Sequence, residues 1–227
     1  MAGHFAKFLT DRQIKVVNHI ASVVGFDIDE VEYYKSKEYL YELSSIDIAV
    51  FYPTENFNYY LFSTVGLSAY QYNPKMARAE LFMILPPTWK LDMEKEEYNW
   101  PVEFLKDVAY NLVDSKMGVS PYAVYEMENS PYLKGTDTQG GIVVFPEMLP
   151  LEIIEEKIDD SYTRFFQLVS LNKAQLLKIK DVGAKAFVDY DLHDASGVAN
   201  VVAKEPVVKK GTNIESIIEH NTKALKE

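Results

Sequence analysis

Three short runs rich in β-branched and aromatic residues follow one another in the first half of the chain, at residues 46–52, 58–65 and 78–85. Proline, glycine or asparagine bounds each run, and these residues are depleted in strands and favour turns. The sequence therefore predicts three consecutive strands. The connection between the first two is short, which favours an antiparallel hairpin.

The first of these runs is apolar on both sides. Alternate residues of a strand point to opposite faces, so Ile46, Ile48 and Val50 share one face, while Ala49 and Phe51 share the other with Asp47. A strand that is apolar on both faces is typical of the inside of a sheet. We therefore expect this strand to lie inside the sheet.

Glu80 lies in the middle of the third run, next to Leu81 and Phe82. Burying a carboxylate without a partner is costly. We therefore expect Glu80 either to point to water or to find hydrogen-bond donors inside the protein.

Helical patterns flank the predicted strands. Thr10 and Gln13 form a capping box, and apolar residues recur at helical spacing until Gly25. Residues 99–101 predict the start of a second helix, because proline is tolerated in a first turn. Its predicted buried stripe consists of Val102, Leu105, Val108, Ala109 and Leu112.

The second half of the chain alternates between predicted loops and regular elements. Residues 115–141 are rich in turn-forming residues and predict a long loop that ends in a turn at 139–141. Strands are predicted at 142–146 and 162–169. A helix capped by Asn172 and Gln175 is predicted to end at Gly183, with further helix at 184–190, whereas the segment 33–43 is compatible with helix or strand.

The composition changes after Asp191, where small, polar and basic residues break any periodicity. We therefore predict one body over residues 1–190 and a C-terminal extension over 191–227. A capping box at Thr212 predicts that the extension ends in a helix, which we expect to dock on the same body.

The charge balance restricts the partners. The chain carries 23 basic and 34 acidic residues, a formal net charge of −11. Such a chain repels nucleic-acid backbones and anionic lipid surfaces, whereas a basic protein would be attracted to it. Cysteine is absent and no run is long and apolar enough to span a membrane, so we expect a cytoplasmic protein.

The motifs of catalysis are weak. Residues 66–70 resemble the Gly-x-Ser-x-Gly turn of serine hydrolases, but Tyr70 replaces the second glycine. The four histidines share no metal-ligand spacing, and no glycine-rich phosphate loop is present. Residues 189–194 are the one dense cluster of carboxylates and imidazole, which leaves a metal-dependent hydrolase as an alternative. We predict no cofactor and no metal.

Aromatic and acidic residues in the connections are the candidates for a partner-binding surface. Trp89 and Trp100 bracket the acidic segment 91–98, where they either anchor the loop ends in the core or offer an aromatic contact to a partner. The residues that we predict to bind a partner are Tyr70, Tyr72, Trp89, Glu94, Glu96, Glu97, Tyr98, Tyr122 and Tyr125.

Four of these stretches together resemble the suppressor of fused domain family in its bacterial form. They are an Asp-Ile strand at 47–48, a Thr-x-Gly-x-Ser turn at 64–68, a Glu-Leu strand that ends in Leu-Pro-x-x-Trp at 80–89, and a Trp-Pro helix start at 100–101. The resemblance covers about residues 11–190. Ser45, where many members have histidine, is a departure. The motif residues are Asp47, Thr64, Gly66, Ser68, Glu80, Trp100 and Pro101.

The resemblance implies a fold and a kind of function. The fold would be α+β, with a central mixed, largely antiparallel sheet flanked by helices, and no catalysis would be expected. Animal members bind a transcription factor through an added peptide strand, and bacterial members resemble immunity proteins that neutralise polymorphic toxins by binding. The acidic charge is consistent with a basic toxin domain as partner, and a regulatory scaffold that binds a peptide by strand addition is the alternative. The oligomeric state stays open.

Overall fold

The protein has a mixed α+β fold built on one sheet. The computed structural model describes residues 9–35, 45–70, 77–92, 95–127 and 130–192 of the 227-residue chain. Within these ranges the strand order is β1-β2-β3-β4-β8-β6-β5, with β7 paired to β8 beside β6. Every pair is antiparallel except β4 with β8. The described strands are β1 (Glu32–Tyr34), β2 (Asp47–Phe51), β3 (Tyr60–Val65), β4 (Arg78–Leu85), β5 (Val124–Glu126), β6 (Gly140–Val144), β7 (Glu155–Ile158) and β8 (Ser161–Leu171).

The three predicted strands of the first half are confirmed as β2, β3 and β4, and the hairpin between the first two is antiparallel. The helices are α1 (Asp11–Val24), α2 (Glu96–Asp114), α3 (Lys173–Val182) and α4 (Ala184–Phe187), which continues as a π-helical turn at Val188–Leu192. Both predicted capping boxes that lie in described ranges, at Thr10 and at Asn172, are present. The predicted helix in residues 212–225 lies outside the described residues.

The sheet has an apolar core on each face. Ile48 and Val50 of β2 pack with the buried residues of α2, whereas Ala49 and Phe51 pack with those of α1. The alternation predicted for this strand is therefore confirmed. The predicted stripe of α2, from Val102 to Leu112, is buried against the first face.

The predicted start of α2 was wrong. The helix begins at Glu96, so Pro101 lies inside it rather than in its first turn. Proline lacks the N–H that would bond the carbonyl four residues earlier, which disfavours this position. Trp100 is fully buried in the α2-side core. Its packing stabilises the turn that precedes the proline.

The segment 115–141 was predicted as one loop and contains two strands. Residues 124–126 form β5, and β6 begins at Gly140. The expected turn at 139–141 is instead the start of β6. A Cβ on Gly140 would lie 2.3 Å from the Tyr125 carbonyl oxygen, and one on Gly141 would lie 2.8 Å from Phe104 Cζ. Glycine is needed here for close approach rather than for a turn.

Candidate functional site

Glu80 is buried at the centre of β4 and has found its donors inside the protein. One carboxylate oxygen, Oε2, accepts a hydrogen bond of 2.6 Å from the Thr64 hydroxyl. The other, Oε1, accepts bonds of 3.0 Å from the backbone N–H groups of Gly66 and Ser68. Of the two alternatives expected for Glu80, the structure shows internal donors rather than water, and four of the seven motif residues form one cluster.

The turn after β3 aims its amides at this carboxylate. Gly66 has φ +116°, in the left-handed region that favours glycine, and a 3₁₀ turn at Leu67–Ala69 follows. Burial raises the pKa of Glu80, while the hydrogen bonds from Thr64, Ser68 and Gly66 act in the opposite direction. The carboxyl group thus fixes the start of the β3–β4 connection by accepting its backbone hydrogen bonds inside the core.

Two arginines hold the same turn from outside. Arg12 Nε on α1 donates to Ser68 Oγ at 3.1 Å, and its Nη2 donates to Thr163 Oγ1 at 2.6 Å. Arg78 Nη1 donates to the carbonyl oxygens of Ser68 and Ala69 at 2.8 and 2.9 Å. Burial lowers the pKa of Arg12. Sequence reasoning missed both arginines. Arg12 and Ser68 are 56 residues apart, and such a separation leaves no local signal.

Ser68 is fully buried, and its hydroxyl accepts a bond from Arg12. The serine therefore lies inside a structural cluster, with its backbone N–H committed to Glu80. The structure places it as a turn residue and offers no surface at its oxygen to a substrate.

The remaining motif residues are buried as well. Asp47 is 2% exposed and accepts a hydrogen bond of 3.1 Å from Ser45 Oγ. Gln13 Nε2 on α1 donates to the carbonyl oxygens of Ser45 and Val65. Ser45, which departs from the resemblance, therefore still takes part in a polar contact that ties α1 to β2 and β3.

Trp89 and Tyr70 are core residues. Their exposed fractions are 3% and 7%. Trp89 packs edge-on against Tyr98 and Trp100, with ring centroids 6.2 and 6.0 Å away, and its Nε1 donates to the Tyr98 carbonyl oxygen at 3.3 Å. The side chains of Trp89 and Tyr70 both lie in the α2-side core, so little of their surface is accessible to a partner in this structure.

Three of the predicted partner-binding tyrosines are partly exposed and fall in two places. Tyr98 lies in the first turn of α2, and Lys90 Nζ lies 5.7 Å from its ring centroid. Tyr122 precedes β5, with Lys185 Nζ 6.0 Å from its ring centroid, and Tyr125 lies in β5. Tyr122 packs with a core cluster that includes Leu176 and Ile179 of α3, whereas Tyr125 packs with the α2-side core, so the structure does not bring the three tyrosines together.

The other predicted partner-binding residues keep the status of predictions. Tyr72 and Glu94 lie outside the described residues. Glu96 and Glu97 begin α2, but only their backbone is described.

The carboxylates of the 189–194 cluster have separate lysine partners. Asp189 pairs with Lys185, and Asp191 Oδ1 lies 4.0 Å from Lys178 Nζ. His193 and Asp194 lie outside the described residues. In the part of the chain that the structure describes, no three His, Cys, Asp or Glu side chains are grouped as metal ligands would be. No described helix combines the length and the apolarity that a membrane crossing requires.

The fold and the buried cluster define a sheet-centred α+β domain, and comparison with known proteins names its family. A sequence model described as Suppressor of fused protein (SUFU) matches residues 42–203. The match covers most of the chain, and this protein therefore belongs to the suppressor of fused family. None of the curated proteins matches it.

Solved structures share the fold at low sequence identity. A putative SUFU homolog from Neisseria gonorrhoeae FA 1090 superposes with a TM-score of 0.58 at 14% identity, over 79% of this chain and 87% of that one. A structure of the Sufu–Fu complex gives 0.59 at 12% identity, over 92% and 94%. Drosophila Suppressor of Fused gives 0.52 at 11% identity, over 95% of this chain and 54% of that chain.

Proposed function

We propose that this chain is a non-catalytic protein-binding domain, and specifically an immunity protein that neutralises a polymorphic toxin by direct binding. The observation that carries the proposal is the family match over residues 42–203. A related fold has been solved as a Sufu–Fu complex, and another belongs to a bacterium. The complex supports a domain that works by holding another protein, and the bacterial homolog supports the same fold in a bacterium.

The charge of the chain supports a basic toxin domain as that protein. A net charge of −11 creates a field that accelerates the approach of a basic partner and weakens as salt increases. The same field repels nucleic acid. If the toxin acts on nucleic acid, this chain would therefore bind the toxin itself and not the nucleic acid. We place the protein in the cytoplasm, where an immunity protein would meet an incoming toxin.

Growth protection tests this function. A candidate toxin domain, taken from the genes next to the one for this chain, would be expressed from an inducible promoter, with and without the full chain. We expect growth to be restored by this chain and the two proteins to purify together. Continued growth arrest at equal expression of both proteins would contradict the proposal.

Peptide capture by strand addition is a second candidate, and the β5 edge favours it. β5 ends the strand order of the described sheet and pairs there with β6 alone. Ala123 and Met127 bond their backbone toward β6, so the N–H and C=O groups of Val124 and Glu126 face away from it. Such an edge is a template for a further strand.

Hydrogen exchange separates the two candidates. A peptide added to the sheet would protect the outward amides of Val124 and Glu126, whereas a folded toxin bound through side chains would leave their exchange nearly unchanged. The amides of Tyr125 and Met127, which face β6, provide the internal control.

A further inference from the structure

A cluster of one carboxylate and three tyrosines lies on the α2-side face of the sheet, at the edge formed by β1. Register places Glu32 and Tyr34 of β1 on the same face as Val50 and Ile48 of β2. Tyr52, just after β2, and Tyr60 of β3 pack edge to face on that side of the sheet, with their ring centroids 5.4 Å apart. None of these four residues belongs to the motif cluster around Glu80.

One of the tyrosines bonds the carboxylate directly, and the charge of the carboxylate acts on the other two. The Tyr34 hydroxyl donates to Glu32 Oε2 at 3.0 Å. The negative charge of Glu32 also acts on Tyr52 and Tyr60. Burial and Glu32 together raise the pKa values of Tyr34, Tyr52 and Tyr60, so their hydroxyl groups stay protonated as donors at neutral pH.

The cluster is partly buried and partly exposed to solvent. The three rings pack against the α2-side core, yet each is only partly buried, and Glu32 is exposed. A carboxylate has about four acceptor positions, of which the Tyr34 hydroxyl uses one. The rest can accept from a visiting group.

We propose that this cluster, Glu32 with Tyr34, Tyr52 and Tyr60, binds an arginine side chain of a protein partner. A guanidinium group is flat, donates two parallel hydrogen bonds to a carboxylate, and stacks on aromatic rings. The net charge of −11 favours a partner that carries such groups. The inference rests on the proposed function in one respect, since it supplies a contact point for a basic partner.

A pair of peptides tests the chemistry directly. Acetyl-Gly-Arg-Gly-amide and the same peptide with citrulline differ in charge but hardly in shape. Each would be titrated into the full-length chain while the tyrosine ring signals are followed by NMR, with assignments from Tyr34→Phe, Tyr52→Phe and Tyr60→Phe. We expect saturable shifts of these three rings with the arginine peptide and none with the citrulline peptide.

Matched variants separate this site from general attraction. Glu32→Gln and Glu30→Gln each remove one exposed negative charge, two residues apart, so they change the long-range field equally. Glu32→Gln should weaken arginine-peptide binding about tenfold, in the range of a lost charge-assisted contact. Glu30→Gln should weaken it less than about twofold, as expected of a screened surface charge.

Three results would overturn the inference: equal responses to the two peptides, equal weakening by Glu30→Gln and Glu32→Gln, or ring shifts confined to other tyrosines. The toxin assay is independent of them. If wild type and Glu32→Gln protect cells equally, the arginine site is refuted as a partner contact and the proposed function stands. If the arginine peptide binds at this cluster but no toxin is neutralised, the site is supported and the proposed function is refuted.

Discussion

The Thr64 hydroxyl donates a hydrogen bond of 2.6 Å to Glu80 Oε2, joining adjacent strands across 16 residues of sequence. Thr64 Oγ1 also accepts from the backbone N–H of Leu81 at 2.8 Å. Together with the amides of Gly66 and Ser68, these bonds satisfy a carboxyl group that is fully buried. The same residues carry the family motif, so the motif is explained by the folding of this connection.

Removing the Glu80 carboxyl group should be far more damaging than changing its charge. In Glu80→Ala the N–H groups of Gly66 and Ser68 lose their acceptor, and we expect a loss of at least about 3 kcal/mol in unfolding free energy. In Glu80→Gln the amide oxygen can accept those two bonds while its NH₂ donates to Thr64 Oγ1. The Thr64 hydroxyl then turns to the Leu81 carbonyl oxygen, 3.2 Å away. For Glu80→Gln we expect the unfolding free energy, measured in urea, to fall by less than about 1 kcal/mol. Equal losses in Glu80→Ala and Glu80→Gln would refute the role of Glu80 as an acceptor for these amides.

The stability of the wild type should fall relative to Glu80→Gln as the pH increases. Burial raises the pKa of folded Glu80 above its ordinary value of 4.5, so the folded state retains this proton to a higher pH than the unfolded state. The contribution is complete below the unfolded pKa and is lost as the pH rises through the folded pKa. Urea unfolding of both proteins between about pH 4 and 8 measures the difference. A wild type that gains on the variant with rising pH would show that the hydrogen bonds outweigh burial.

Gly140 and Gly141 should respond differently to alanine. A Cβ at 140 meets the Tyr125 carbonyl oxygen of the neighbouring strand, whereas one at 141 meets the end of the Phe104 ring. We expect Gly141→Ala to lose about 1–3 kcal/mol through overpacking, and Gly140→Ala to lose more. Adding Phe104→Leu should recover part of the loss for Gly141→Ala and none for Gly140→Ala, as measured by thermal or urea unfolding. Additive losses in both double variants would contradict the packing argument.

The buried side chain of Trp89 should stabilise the folded state. Its indole packs between Tyr98 and Trp100, so Trp89→Ala should lower the unfolding free energy by about 3–5 kcal/mol. Tyr190→Ala is the matched control, because this tyrosine is 80% exposed and should change stability by less than about 0.5 kcal/mol. If the tryptophan variant remained as stable as the control, Trp89 would not be an anchor of the loop ends.

Local patterns predicted most of the sheet, and long-range contacts explain the errors. The strands at 46–52, 58–65 and 78–85 were found because their alternation and their terminating residues are local signals. The parallel pairing of β4 with β8, which joins Arg78 to Thr163, leaves no such signal. Gly140 and Gly141 read as a turn because two glycines usually form one, whereas their role depends on the neighbouring strand and α2.

The candidate site was harder to predict than the fold. An aromatic residue beside proline is compatible with an anchor or with a contact surface, and only the burial of Trp89 decides between them. The cluster around Glu32 was missed because its members come from three strands, and β1 lay in a segment with no clear periodicity. Arg12 reaches Ser68 and Thr163 from a helix far away in sequence.

The affinity of the purified full-length chain for a candidate toxin domain, taken from the genes next to its own, tests the central claim most directly. We expect a one-to-one complex whose association rate falls by about tenfold or more between 50 and 500 mM salt, because charge attraction accelerates the encounter. Dissociation should change much less. Absence of binding at micromolar concentrations in low salt would contradict the account.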